Sequence, residues 1–357
     1  MFVKPDKYPL QDAYNKAPRA IQYRRPAFNL MLARYLHPVE EWFYQQKSPT
    51  GFRFVAKGLN NVDRAILLKE VSDSFQNPVY ILLDHAAFDS SVTVDHIKSC
   101  HKFYNKLIRS RTMNKLLRSQ LNNKGYSRHG IKYTVKGTRM SGDFDTALGN
   151  TLVNYAVLRS WLKLAGVRGE IILDGDDSIV VVERSSLSRL NYDHFSKVGF
   201  TTKHSVVYDI TEVEFCQGKY LPTHPPRFAR NPLRALSRYN ISVRNYHGPG
   251  WLRYLAGVGL GEMAVSSGVP VLEAIGAKLA CLATNPLYDA ETWYRSTIQG
   301  TTAPITDDVR DAFCTAWGIT PSQQVAMESE YTPTIRAGPQ LIQAYYTLPD
   351  NASQSSW

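Results

Sequence analysis

The chain has 357 residues, 43% hydrophobic and 20% charged, which is enough apolar material for a sizeable core and too long for one small domain. Its formal net charge of +11 favours a polyanionic partner through attraction and counterion release, although solubility charge and membrane-surface affinity would carry the same sign. Cys100, Cys216, Cys281 and Cys314 show no metal-ligand or disulfide spacing, no signal pattern opens the chain, and no run of about 18 uncharged apolar residues predicts a membrane span.

The first 34 residues are basic: Lys4, Lys7, Lys16, Arg19, Arg24, Arg25 and Arg34 face only Asp6 and Asp12. Pro5, Pro9, Pro18 and Pro26 break this stretch into short extended pieces. A helix is expected from about Leu30 to Gln46. Residues 79–84 read as a buried strand ending in a carboxylate. Two helical segments follow near 92–109 and 112–122, and then a hairpin at 125–138. A long helix is predicted from about Asp143 to Ala165, and a second hairpin at 170–183. Beyond Pro222 the pattern turns helical, with Gly- and Pro-rich turns at 247–250 and 268–270, and the polar tail 348–357 closes the chain.

Three elements carry chemistry. The first is Asp84-His85-Ala86-Ala87-Phe88-Asp89, in which an apolar strand delivers one acid to its end and a turn presents a second; the same residues would also suit a turn or a helix cap. The second runs from Ser141-Gly142 through Asp143, Thr146 and Asn150. Thr146, Asn150 and Asn154 recur every four residues and share a polar helical stripe, as an ordinary capped amphipathic helix would also arrange. The third is Asp174-Gly175-Asp176-Asp177 between two β-prone apolar strands. Carboxylates this close repel, so their ionisation calls for a cation, and Mg²⁺ takes few carboxylates while leaving room for water and phosphates.

In this order and spacing the three elements resemble motifs A, B and C of viral RNA-dependent RNA polymerases. The wording of 139–150, Arg139-Met140-Ser141-Gly142-Asp143-Phe144-Asp145-Thr146-Ala147-Leu148-Gly149-Asn150, is similar to the tombusvirus and carmovirus-like group. Residues 16–29 resemble motif F, 57–61 the Lys-Gly segment upstream of motif A, 199–203 motif D and 214–222 motif E. Residues 230–234 and 312–324 resemble thumb segments of the same group.

The resemblance implies an α+β right-hand fold with a central antiparallel palm sheet. Fingers would come from 1–78 and 110–138, palm from 79–109 and 139–222, and thumb and tail from 223–357. Asp84, Asp176 and Asp177 would hold two Mg²⁺ (or Mn²⁺) ions, and Lys203 would be the general acid. Asp89 and Asn150 would read the ribose 2′-hydroxyl, Ser141 and Thr146 would support template and nucleotide, and Lys16, Arg19 and Arg24 would neutralise the triphosphate. Arg25, Gly142, Cys216 and Lys219 would contact RNA. His85 and His204 receive no role. Asp174 is an acid where the group usually has a neutral residue; it either strengthens the metal site or faces away.

The implied activity is copying of viral RNA from ribonucleoside triphosphates. An acid at 89 argues against a reverse transcriptase, which would hold a bulky residue there; a non-catalytic RNA-binding relative is the other alternative. Expected partners are template and product RNA, viral or host replication proteins, and a separate N-terminal segment completing the fingers, whether the chain is a fragment, a readthrough portion or half of a divided enzyme. The expected setting is the host cytoplasm, at membrane-associated replication complexes reached through partners.

Overall fold

A computed structural model describes residues 1–4, 15, 17, 19–127, 130–242, 244 and 246–333; Lys16 and the expected polar tail lie outside the described residues. The fold mixes helices with strands, and the ladders between strands are antiparallel, with isolated parallel bridges at Tyr23–Gly142 and Val55–Leu173. The described residues fall into two compact units, those within 1–57 and 70–209 and those within 58–69 and 210–333.

The first unit is organised by a four-stranded sheet of β3 (Pro78–Ala86), β6 (Gly169–Asp174), β7 (Asp177–Glu183) and β8 (Thr201–Val207), in the order β6-β7-β3-β8. The near-continuous apolar runs Val79–Leu83 and Ile179–Val182 suit the two inner strands, and Val79, Ile81, Leu83, Val180 and Val182 enter the core. Strand β8 lies at the edge and carries the polar residues Thr201–Ser205, as an edge exposed to solvent requires. Four longer helices belong to this unit: α1 (Pro26–Tyr44), α2 (Val94–Leu107), α3 (Arg111–Arg118) and α4 (Thr146–Ala165). Pro26 starts α1, where its missing N–H costs nothing. Gly166 ends α4 in the left-handed region.

The remaining elements of this unit are short. Strands β1 (Phe2–Val3) and β2 (Ala20–Ile21) pair with each other, and the expected finger hairpin is β4 (Asn122–Tyr126) with β5 (Lys132–Lys136). The long helix starts at Thr146 rather than Asp143, and its N-cap, Asp145, makes no side-chain capping bond. Ion pairing engages Asp143 with Arg24 and Asp145 with Arg139 instead.

In the second unit a meander of β9 (Glu214–Phe215), β10 (Gly218–Leu221) and β11 (Arg227–Arg230) precedes helices Pro232–Tyr239, Pro249–Val265, Leu272–Ala280, Ala290–Ser296, Asp307–Trp317 and Pro321–Glu330. Trp251, Tyr254, Leu255, Leu272, Ile275 and Phe313 centre its core. Within it, Glu262 is 1% exposed and accepts from Arg230 (2.6 Å to Oε1, with a second bond to Oε2) and from Ser266, while Arg295 stands 3.9 Å away.

Burial alone would push the Glu262 carboxyl up, but Arg230 and then Arg295 outweigh it and hold it below the ordinary 4.5. A carboxylate lowered on folding stabilises the native state above its unfolded pKa, and the gain is lost as pH falls through the folded value. Glu262→Ala is therefore expected to cost about 3–5 kcal/mol near neutrality in denaturant titration, by leaving Arg230 without its counter-charge. Its deficit relative to the native chain should shrink as the titration is repeated below pH 4.5.

Candidate active site

Sheet register builds the first part of the site. In β3, Asp84 pairs with Lys203 of β8, and Leu83 pairs with Ser178 of β7. Continued by one residue, the second register sets Asp84 opposite Asp177, which itself pairs with Asp174 across the β6–β7 hairpin. Directly opposed residues share a face, so Asp174, Asp177, Asp84 and Lys203 form one row across four strands. Adjacent strands lie about 4.8 Å apart, which makes near neighbours of the acids at 84 and 177. Asp84, Asp176, Asp177 and Lys203 are all exposed.

The turn between β6 and β7 consists of Gly175 and Asp176 alone. Gly175 takes φ +71°, a conformation that a Cβ would disfavour, so the tight turn needs glycine there. This leaves Asp176 at the tip. Behind the tip, the fully buried Asn154 donates from Nδ2 to the carbonyls of Gly175 (3.1 Å) and Asp176 (3.3 Å).

Asp89 arrives through a reversal at Ala87, whose φ of 51° is unusual for a residue with a Cβ. Asn150 Nδ2 donates to Asp89 Oδ1 at 2.7 Å, and Arg139 Nε donates to Asn150 Oδ1 at 3.3 Å. Burial pushes the Asp89 carboxyl up, with the Asn150 bond and the Arg139 charge pulling against it. Arg139 is 4% exposed and pairs with the fully buried Asp145 at 3.0 Å. Burial would favour a neutral guanidinium; Asp145 reverses that and holds Arg139 charged. Gly149 makes room for it, since a Cβ there would stand 2.2 Å from Arg139 Nη2.

The loop 141–145 is held from the other side by the segment assigned to motif F. Gly142 N donates to Gln22 O at 2.7 Å, and Gln22 N donates to Ser141 Oγ at 3.2 Å. A Cβ on Gly142 would meet Gln22 O at 2.7 Å, so the two backbones touch because the residue is glycine. Asn29 Nδ2 donates to Gly142 O at 2.8 Å while its Oδ1 accepts from Phe144 N at 3.2 Å. Thr146 Oγ1 donates to the carbonyls of Met140 (2.9 Å) and Asp143 (2.8 Å).

Arg24 Nε donates to Asp143 Oδ1 at 2.8 Å, its Nη2 reaches Asn123, and its guanidinium lies 4.9 Å from the Phe28 ring centre. Burial pushes the Asp143 carboxyl up, against the pull of Arg24. Arg24 therefore brackets the loop in this structure. Arg19 is exposed just before β2, and Arg25 is exposed at the N-cap of α1.

Cys216 and Lys219 belong to the second unit. Cys216 (φ 50°) and Gln217 (φ 67°) make the two-residue turn between β9 and β10, with both residues left-handed as such hairpins favour. Lys219 Nζ donates to Ala316 O at 3.0 Å and sits 4.8 Å from the Trp317 ring centre.

A model of the viral RNA dependent RNA polymerase family matches residues 1–337. The chain belongs to that family. It is 32% identical over 351 residues to the RNA-directed RNA polymerase of groundnut rosette virus (strain MC1), covering 92% of this chain and 41% of the relative. Identity to the RNA-directed RNA polymerase of turnip crinkle virus is 31% over 355 residues (92% and 45%), and to that of tomato bushy stunt virus 30% over 351 residues (92% and 42%). The resemblance of the chain to the tombusvirus-like group is thus borne out, and the chain spans less than half the length of these polymerases.

Viral RNA-dependent RNA polymerases require divalent metal ions in general. Among the described residues no three His, Cys, Asp or Glu side chains gather closely enough to hold one by themselves. The donors fit a different kind of site: exposed carboxylates on adjoining strand ends, of the hard-oxygen type, few enough that water and substrate phosphates must complete the coordination.

Two residues of this candidate site drew no individual role from sequence: His85, which adjoins Asp84, and Asn29, at the end of the motif F segment. Asn154 was grouped with Thr146 and Asn150 in the polar stripe, but its hold on the acidic turn was not read. For the loop bracket, Arg24→Ala is expected to lower stability by about 2–4 kcal/mol by stranding Asp143. Combining it with Asp143→Asn should recover part of that loss, a coupling that a denaturation double-mutant cycle measures directly.

Proposed function

We propose that the chain carries the catalytic part of an RNA-dependent RNA polymerase, joining ribonucleoside triphosphates on an RNA template to replicate a viral genome. The observation that carries this reading is the register that pairs Leu83 with Ser178 and Asp174 with Asp177, which leaves Asp84 and Asp177 on adjoining strand ends below a turn tipped by Asp176. Family membership and the relatives' names support it. In this reading residues 79–109 and 139–222 form the palm of a right hand, 1–78 and 110–138 the fingers, and 223–357 the thumb.

Asp84 and Asp176, assisted by Asp177, would hold Mg²⁺, with Mn²⁺ as a substitute. When bound, the ions would supply charge neutralisation at the attacking 3′-hydroxyl and the departing pyrophosphate. Asp174 shares the face and adds negative charge beside that position. Lys203, paired with Asp84 across the strands, would give a proton to the pyrophosphate oxygen as the P–O bond breaks. Asp89 accepts, and Asn150 supports it, in recognising the ribose 2′-hydroxyl; their 2.7 Å bond supports a pair set before substrate arrives. Arg19 and Lys16 would neutralise the triphosphate, and Arg24 would join them only by sharing its guanidinium with Asp143. Ser141, Gly142 and Thr146 shape the loop that meets template and nucleotide, while Arg25, Cys216 and Lys219 would contact RNA.

Partners would be template and product RNA, replication proteins of virus or host, and a fingers-completing N-terminal segment. None of the helices among the described residues is long and apolar enough to cross a membrane. The proposed setting is the host cytoplasm, at membrane-associated replication complexes reached through partners.

Asp176→Asn is expected to abolish Mg²⁺-dependent incorporation of labelled ribonucleotides while preserving the circular dichroism spectrum. Full activity in that variant would overturn the reading. Asp89→Ala should reduce the preference for ribo- over deoxynucleotides by about 100-fold, read as the ratio of kcat/KM values on one template.

A further inference from the structure

Strand alternation gives the sheet end two faces. Asp84 and Lys203 lie on the open one; their neighbours His85 and Thr202, which also pair, lie on the other. His85 is 2% exposed and packed among Phe88, Phe195 and Phe200, with ring centres 5.6, 5.7 and 5.3 Å away. Phenylalanine would fill that space as well, so packing does not explain an imidazole here.

Its hydrogen bonds do. Nε2 stands 3.2 Å from Asn154 Oδ1, and Nδ1 stands 2.8 Å from Thr202 Oγ1. The carbonyls of Gly175 and Asp176 only accept, so the Asn154 amide nitrogen must face them and its oxygen must face His85. His85 then donates from Nε2–H and accepts at Nδ1 from the Thr202 hydroxyl. Every proton has one place: Thr202 to His85, His85 to Asn154, Asn154 to the two turn carbonyls. The chain begins beside Lys203, passes beside Asp84 and ends on the carbonyl of Asp176.

We infer that His85 and Asn154 are positioning residues, a buried polar bridge that sets the acidic turn against the end of β3 and the Lys203 strand. The bridge touches none of the reacting atoms, and it acts by fixing where three strand ends stand relative to one another. The inference rests on the polymerase reading for its effect on rate, but its effect on the turn is independent of that reading.

The test uses the full chain in four forms: unaltered, His85→Phe, His85→Gln and Asn154→Asp. Phenylalanine keeps the apolar volume and removes both hydrogen bonds. Glutamine retains one donor and one acceptor. Aspartate has no proton to offer the turn carbonyls. Kinetics of Mg²⁺-dependent incorporation are measured together with hydrogen exchange at the amides of Asp174, Asp177 and Ser178, the ladder end next to the turn.

His85→Phe and Asn154→Asp are expected to lower kcat by about 100-fold, the cost of an ångström-scale misplacement, with nucleotide KM within about twofold. Exchange at the three amides should quicken about tenfold while Val180–Val182 stay protected. His85→Gln should recover most of both readouts. A His85→Phe variant with unchanged kcat and exchange overturns the bridge, as does exchange that quickens equally along all of β7, which signals plain destabilisation. If the unaltered chain stays inactive after the fingers-completing segment is supplied, the polymerase reading fails, and local quickening at the turn still upholds the bridge.

Discussion

The register of β3 between β7 and β8 is the constraint on which the candidate site hangs. Side chains alternate with a period of two, so a slip of one residue would turn Asp84 into the core and bring His85 to the surface. Apolar residues hold the register: Val79, Ile81 and Leu83 have their places in a core that also takes Val180 and Val182. Hydrophobic burial thus sets the spacing of carboxylates that would otherwise repel, and the charged row comes as a by-product of the packed face beneath it.

A second layer of order comes from buried charge. Arg139–Asp145 and Arg24–Asp143 hold the loop before α4 from two sides, and Arg139 passes that order through Asn150 to Asp89. Replacing such pairs by apolar residues is often neutral for stability, so their worth here lies in direction, since each guanidinium fork fixes which way a loop carboxylate and its backbone face.

Much of this was legible in the sequence, and the limits have physical causes. Strand β3, the acidic hairpin and the long helix were readable because their signals are local: an apolar run, an Asp-Gly turn and a polar stripe. The start of the long helix was misjudged by three residues, because Asp143 has the chemistry of a cap until Arg24 claims it. The Arg24–Asp143 pair joins residues 119 apart, and no periodicity reports such a contact. Lone charges and lone histidines are the residues whose surroundings depend most on tertiary packing, which is why Arg24 was read toward the triphosphate and His85 not at all. The right-hand arrangement came from resemblance alone.

The strand order has one further implication. β3 and β7 each have a bonded neighbour on both sides, whereas β8 has one. Asp84 and Asp177 therefore stand on the stiff middle of the sheet, and Lys203 stands on its selvage, where a strand can breathe at lower free energy. The gap between the acids is close to a fixed dimension of the molecule, while the reach of the ammonium is adjustable. A workbench with a clamped vice and a sliding tool rest divides its tasks in the same way.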